Sequence, residues 1–498
     1  MKSLFLLVPL LIFPAGFNPY FIKFFIVSVA VFIFLFIKNF SGTKIPLQEN
    51  SLHIFVFIFI LFFSFLNADN KRVCLLNFSK ILPFFILCFL FDEREKLKNW
   101  LGISVLITSV IGILQKIGFI SNLIPDPFSS RIYATFGNPN FFASFLFLSF
   151  PFFAGWCERK KLNALVLLPY LCILLTETFG TILSITVLFI FYAKKKNFLR
   201  YLLPLHLVVL ILGGMFFDLS SKKSSVEERI FKWRVGIEIF KENPFLGTGT
   251  GGVKTNFAIF QAKVKKRLNL PSTSESKIHN DWIQLLAETG ILGFVSFLIL
   301  LIYSLLKNRD AEAKLSLMAF IFDAMTNFPL ELPSSLLIFS FALSFTKAKK
   351  QKLHPLIFLL VSGGVLFFSS KEFIADYFRK RGIYEYSKNR IEKAICFLKK
   401  AHKISPTSGK TAYNLGMLFV IKKDYMEAIY FFKESIKIRN YGEVYNDLGN
   451  AYYLKGDIKR AISSWEKAIE LGIPQKEQLK KNIQHLKKMT NDNKIWYK

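Results

Sequence analysis

Long apolar runs decide what this chain can fold into. They recur from the N-terminus to about residue 370 and hold few charges. Many approach the twenty or so residues that cross roughly 30 Å of hydrocarbon. Backbone in lipid must satisfy its own polar groups, so runs like these become helices. About thirteen are counted, at roughly 3–16, 20–37, 52–66, 74–91, 98–118, 140–157, 162–176, 180–193, 200–217, 282–306, 313–328, 333–346 and 354–370. The predicted class is all-α. A polytopic helical membrane domain over 1–370 is followed by a soluble tail over 371–498. Apolar side chains make up 52% of the chain, Phe alone contributing 59 residues, too many for an ordinary soluble surface. The start, Met1-Lys2-Ser3 and then an apolar stretch, is taken as a retained first helix, since no small-residue cleavage site follows.

The net charge of +31 first raises nucleic acid. That partner is excluded, because the Lys and Arg form no single patch beside stacking aromatics. They lie mainly between apolar runs and orient the protein. With the N-terminus inside, nineteen Lys and Arg fall in the short inner loops, against Lys71, Arg72 and Arg131 in the short outer ones. Arg131, the long loop at about 218–281, His279 and everything after 370 are then expected on the outer face. Four of the five cysteines fall in apolar runs and read as small core or lipid-facing residues; none has metal-ligand or disulfide spacing.

Within the long loop, Val226–Glu242 has helical spacing, with Ile230, Trp233, Ile237 and Phe240 able to share a face. Pro244 and the glycines after it end that helix. Gly247-Thr248-Gly249-Thr250-Gly251-Gly252 lacks the Lys-Ser/Thr of a phosphate loop and is expected to be a flexible turn. Beyond 376 a period of 33–34 residues appears. Gly382, Gly416 and Gly449 recur, as do Ala394, Ala428 and Ala461, with Leu398, Phe432 and Trp465 four residues after each alanine. This is similar to the tetratricopeptide repeat, and three repeats plus a capping helix from about 476 predict an α-solenoid. Such repeats hold proteins or peptides, so a protein partner is expected. The tail has 27 Lys or Arg against 14 Asp or Glu, which suits an acidic partner or an anionic lipid and glycan surface.

The outer face carries the candidate chemistry. No nucleotide is available there, but a lipid-linked sugar diphosphate is. Its pyrophosphate calls for Arg, whose planar fork pairs two oxygens and stays charged. Arg131 and Arg229 are the candidates, with Arg234 behind them; an interfacial anchor is the alternative for Arg131. The acceptor hydroxyl must lose a proton as it attacks the anomeric carbon. His279, at the mouth of an apolar helix, suits a general base near neutral pH, or else is a helix-start cap. Asp281 and Glu288 come next, and Asp281 equally suits the helix dipole.

Four blocks resemble the O-antigen ligase and polymerase family of bacterial envelope glycosyltransferases, over about residues 50–346. They are Arg131 with Gly137-Asn138-Pro139-Asn140; Arg229 and Trp233 with Pro244 and Gly247; His279-Asn280 with Glu288-Thr289-Gly290; and, more weakly, Asp323 with Pro329. The resemblance implies a GT-C-like helical membrane fold in the bacterial cytoplasmic membrane. It implies transfer of a preassembled glycan from undecaprenyl pyrophosphate to a glycan, lipid A-core or protein acceptor, with no metal and no cofactor. It makes His279 catalytic, and Arg131, Arg229, Arg234, Asn138, Asn140, Asn280, Asp281 and Glu288 substrate-binding. One departure stands out. Where the family commonly has Ser-Arg-Gly, this chain has Thr178-Phe179-Gly180, so a cation is missing or is supplied by a residue such as Arg72. A polymerase or a protein O-oligosaccharyltransferase shares the donor chemistry and differs in acceptor. A glycolipid transporter or flippase is a second class, disfavoured because Asp323 is the one notable charge inside the runs. A repeat scaffold is a third.

Overall fold

The computed structural model describes residues 1–11, 19–120, 131–193, 203–204, 206–208, 219–268, 277–438, 440–473 and 475–492. The expected span at 200–217 lies largely outside them. The first helices are α1 Lys2–Leu10, α2 Pro19–Phe40, α3 Ser51–Phe63, α4 Lys71–Leu87, α5 Arg94–Lys116, α6 Pro139–Arg159, α7 Leu167–Leu175 and α8 Phe179–Ala193. The large loop holds α9 Leu219–Glu242 and α10 Gly252–Leu268. Then come α11 Asp281–Lys307, α12 Ala311–Asp323, α13 Pro333–Leu343 and α14 Pro355–Ser387. The tail continues with α15 Ile391–Ile404, α16 Gly409–Ile421, α17 Tyr425–Ile436, α18 Gly442–Lys455, α19 Ile458–Glu470 and α20 Lys476–Asp492.

By length and composition, five described helices suffice to cross a membrane: Tyr20–Phe40, Arg94–Lys116, Pro139–Arg159, Asp281–Lys307 and Pro355–Ser387. Shorter apolar helices cover Ser51–Asn67, Asn163–Leu175, Phe179–Ile190 and Pro333–Leu343. Their number supports a multi-pass membrane protein. At the centre runs α6, apolar on every side and 94% buried over its apolar window, as a helix without a polar face must be.

The all-α expectation holds, with one short ribbon beside the helices. Strand β1, Ile45–Gln48, pairs antiparallel with β2, Ala348–Leu353, Ile45 lying opposite Leu353. Four residues around Pro46 give no alternation, and the partner is distant in sequence. The ribbon also joins two loops that the charge pattern puts on one side. At the same end Lys98 pairs with Asp310, and with Glu312 at 3.4 Å. Loops of the other set meet each other as well, as the next section describes.

The apolar face of α9 is shifted. Phe231, Val235 and Ile239 are buried, while Ile230 and Ile237 stay 39% and 40% exposed. Apolar residues ring this helix, so periodicity alone selected the wrong stripe. The buried face packs on Val253, Phe257, Phe260 and Val264 of α10, and on Ile278 and Ala287.

In the tail, the repeat has a direct packing reason. A Cβ on Gly382, Gly416 or Gly449 would lie 2.6, 2.6 or 2.5 Å from Leu398, Phe432 or Trp465 respectively. Small residues at the repeat interval let each helix pair close up. The tail is not hung on a loop. Helix α14 runs unbroken through residue 370, packs on α2 and α4, and ends inside the first repeat. Glu372 on it accepts from Arg379 Nη2 at 2.5 Å, from Ser405 Oγ, and from Thr407 Oγ1 at 3.1 Å. Asn70 Nδ2 donates to the Lys437 carbonyl at 3.2 Å, and Lys265 Nζ to that of Gly472 at 3.3 Å. The turns that close successive helix pairs thus all rest on the membrane domain and its loop.

Candidate functional site

Four sequence-distant blocks meet at one turn, residues 324–330. Asn280 caps α11 by accepting from the Ile283 N–H at 3.0 Å, the role its residue type favours. Its Nδ2 also donates to the Met325 carbonyl at 3.0 Å. The Asp281 N–H donates to the Ala324 carbonyl at 2.8 Å, and Asp281 Oδ2 accepts from the Leu330 N–H at 2.7 Å. Arg229 Nη1 donates to the Thr326 carbonyl at 2.7 Å. His279 sits edge-on to Phe328, ring centroids 5.1 Å apart. Beneath the turn, the buried Asp323 carboxylate accepts from Ser144 Oγ, from Asn327 Nδ2 at 2.7 Å and from Thr181 Oγ1 at 3.4 Å. Asp323 therefore fastens α12 to α6 and α8.

Arg131 belongs to the same neighbourhood. Its Nε donates to the Thr176 carbonyl at 2.8 Å, and its Nη2 to Asn140 Oδ1 at 3.2 Å. Thr178 Oγ1 reaches the same Asn140 oxygen at 3.1 Å. Asn138 caps α6 through the Asn140 N–H at 2.9 Å. Burial holds the Arg131 guanidinium below its usual range, with Glu177 opposing. Arg229 is lowered likewise, by burial first, with Glu228 opposing and the Arg131 charge adding. Two half-buried guanidiniums therefore feel each other, and among the described residues neither forms an ion pair. That is a setting in which an anion is welcome.

Other expected residues stand apart. Arg234 is exposed on α9. Arg72 is exposed too, and its charge acts on His402 in the tail. Phe179 is 51% exposed at the start of α8.

Asp281 and Glu288 open instead on an adjoining cavity of about 270 Å³. Glu288 accepts from Gln284 Nε2 at 3.5 Å and lies near the main-chain N–H groups of Gly251 and Val253. The glycine-threonine run is therefore no flexible turn. The Thr248 N–H bonds the Ala287 carbonyl at 3.1 Å, and the Ile291 N–H bonds the Pro244 carbonyl at 2.8 Å. Between them α11 breaks at Gly290, φ 65° and ψ −169°, and the loop supplies hydrogen bonds that the helix gives up. Lone loop residues showed no such docking, because the partner carbonyls belong to another element.

Sequence reasoning missed several residues here. Lys277 Nζ lies 3.0 Å from Glu331 Oε2 and 3.9 Å from the Phe328 centroid. Gln284 Nε2 donates to Glu331 Oε1 at 2.6 Å. Burial alone would raise Glu331; Lys277 and Gln284 outweigh it and hold the carboxyl below its usual range. Lys80 lines the cavity, and Lys23, 1% exposed, donates to the carbonyls of Pro9 at 3.2 Å and Thr135 at 3.4 Å. Asp323 is thus not the one charge inside the runs. Both lysines interrupt apolar runs, a signal the loop count passed over.

Against known families, a model described as O-Antigen ligase matches residues 164–298, which include Arg229 and His279 but not Arg131. A tetratricopeptide repeat model matches residues 442–472. No curated protein matches the chain. The two matches are to the two families that the sequence resembles, each over part of the chain, and the apolar helices make this a multi-pass membrane protein.

Proposed function

We propose that this protein transfers a preassembled glycan from undecaprenyl pyrophosphate to an acceptor hydroxyl, on the outer face of the bacterial cytoplasmic membrane, without a metal ion. The observation that carries the reading is the meeting of Arg131, Arg229 and His279 around the turn at 324–330. Arg131 and Arg229 receive the pyrophosphate and stabilise its charge as it leaves. The acceptor oxygen attacks the anomeric carbon, the bond to pyrophosphate breaks, and His279 takes the proton. Asn138, Asn140 and Asn280 shape this face, and Asp281 and Glu288 face the neighbouring cavity. Arg234 serves at most as an outlying cation.

The repeats, on the same side, hold a protein partner, and lipid surrounds the apolar helices. The acceptor is a glycan, lipid A-core or protein. A polymerase or protein O-oligosaccharyltransferase would use the same donor site. A flippase has less support, since the buried charges within the runs are held in place, Asp323 by three side-chain donors and Lys23 by two carbonyls. The test is transfer of a labelled undecaprenyl-pyrophosphate glycan by purified full-length protein in nanodiscs. Product attached to any acceptor supports the reading. Lipid movement across a vesicle bilayer without any new glycosidic bond refutes it.

A further inference from the structure

The cavity beside the turn has an unbalanced lining. Pockets for drug-sized ligands run to roughly 300–1,000 Å³, so about 270 Å³ suits one sugar unit. Tyr20, Phe24 and Phe57 give it aromatic walls. Its three carboxylates are engaged: Glu331 by Lys277 and Gln284, Glu288 by Gln284, Asp281 by the Leu330 N–H. Two polar groups have no hydrogen bond or close ion pair among the described residues. Gln284 is 8% exposed; its Nε2 is used, but its Oε1 has no hydrogen-bond partner. A buried acceptor is ordinarily satisfied. Lys80 rests on the face of Phe21, Nζ 4.9 Å from the ring centroid, and among the described residues no carboxylate forms an ion pair with it. An ammonium that feels the charges of Glu372 and Glu331 from beyond ion-pair distance, and an amide oxygen that lacks a donor, thus line one small cavity.

We propose that this cavity binds an acidic sugar unit of the acceptor glycan, Lys80 taking its carboxylate or phosphate and Gln284 Oε1 accepting from a ring hydroxyl. A sugar alone offers hydroxyls, and an inorganic anion alone offers charge; an acidic sugar offers both. The placement follows from Phe328. His279 packs on its edge and Lys277 over its face, so the cavity begins one ring away from the imidazole, while Arg131 and Arg229 lie toward Thr176 and Thr326. The word acceptor rests on the function proposed above; the binding site itself does not.

The test uses the full chain in nanodiscs without any donor. Methyl glucuronide, methyl glucoside 6-phosphate and neutral methyl glucoside are titrated and followed by saturation-transfer NMR. The acidic probes are expected to bind at least about tenfold tighter than the neutral one, the worth of one charge-assisted contact. The tighter of the two identifies carboxylate or phosphate as the natural group. Lys80→Met abolishes the preference, Lys80→Arg retains it, and Gln284→Leu weakens all three probes. Equal binding of acidic and neutral probes by the unaltered protein overturns the proposal, as does a Lys80→Met protein, eluting as a single species, that keeps the preference. If the preference holds but no glycan is ever transferred, the site stands and the transferase reading falls.

Discussion

Replacing Gly290 by Ala tests how the broken helix is held. At φ 65° and ψ −169° the backbone sits where only glycine is comfortable, a cost of about 1–3 kcal/mol for any other residue. The new Cβ would also stand inside the Phe245 carbonyl. Relief requires residues 244–248 to lift off α11, which gives up the bonds Thr248–Ala287, Ile291–Pro244 and Leu292–Phe245. At about 0.5–1.5 kcal/mol each, those three add about 1.5–4.5 kcal/mol. The expected loss is about 2.5–7.5 kcal/mol, large against ordinary single substitutions. Gly364→Ala is the control: it lies in α14, its Cβ meets nothing within 4 Å, and its φ is not positive. That change should be neutral or stabilising by less than about 1 kcal/mol. Thermal unfolding in detergent reads both, and limited proteolysis reports release of the 244–252 loop. Equal melting temperatures for the two variants, with no new cleavage in that loop, would refute the docking argument.

Four further outcomes follow from the site and the topology. Arg229→Ala should weaken binding of the lipid-linked donor by about tenfold to a hundredfold, with Arg229→Lys recovering only part, because an ammonium lacks the paired geometry; unchanged affinity in both removes Arg229 from the donor site. His279→Gln should lower transfer by about 10²- to 10⁴-fold while donor binding persists, and EDTA should leave the unaltered enzyme's rate as it was; wild-type transfer by the variant makes His279 a structural residue. Glu331, depressed by its partners, contributes stability that is fully present above the usual carboxylate range and is lost as pH falls through its lowered pKa; Lys277→Met leaves burial to raise the carboxyl, so the variant should be less stable near neutral pH and lose less on acidification, and an unchanged difference between neutral and acid stability contradicts the pairing. A reporter fused after Lys498 should be active only when it works outside the cytoplasm; cytoplasmic activity reverses the assigned orientation.

Local signals were legible where one element carried them. The start of α11 was placed correctly, although the cap is Asn280 and not the His279 that was offered for that part. The glycine and alanine spacing of the tail announced helix pairs because small residues have one packing purpose there. The face of α9 was not legible, since apolar residues surround that helix. The meeting at 324–330 was not legible either: its carbonyls belong to residues of unremarkable type, and only the packing of α6, α8 and α12 through Asp323 presents them. Gln284 lay within reach. It stands four residues before Glu288 and so shares its helix face, but nothing in one sequence brings Lys80 and Glu331 to it.

The continuous α14 has a consequence for anything the repeats hold. A flexible linker would spread a captured molecule over a sphere, with an effective concentration that falls as the linker lengthens. Here the first repeat grows out of a helix packed on α2 and α4, and Glu372 ties that helix to the turn at Ser405 and Thr407. The tail continues from a packed helix and not from a linker, so a partner held as proposed above would be presented at a set distance and orientation from the turn at 324–330. Inserting a Gly-Ser segment after Ser387 would leave each repeat intact and still dilute that partner at the site.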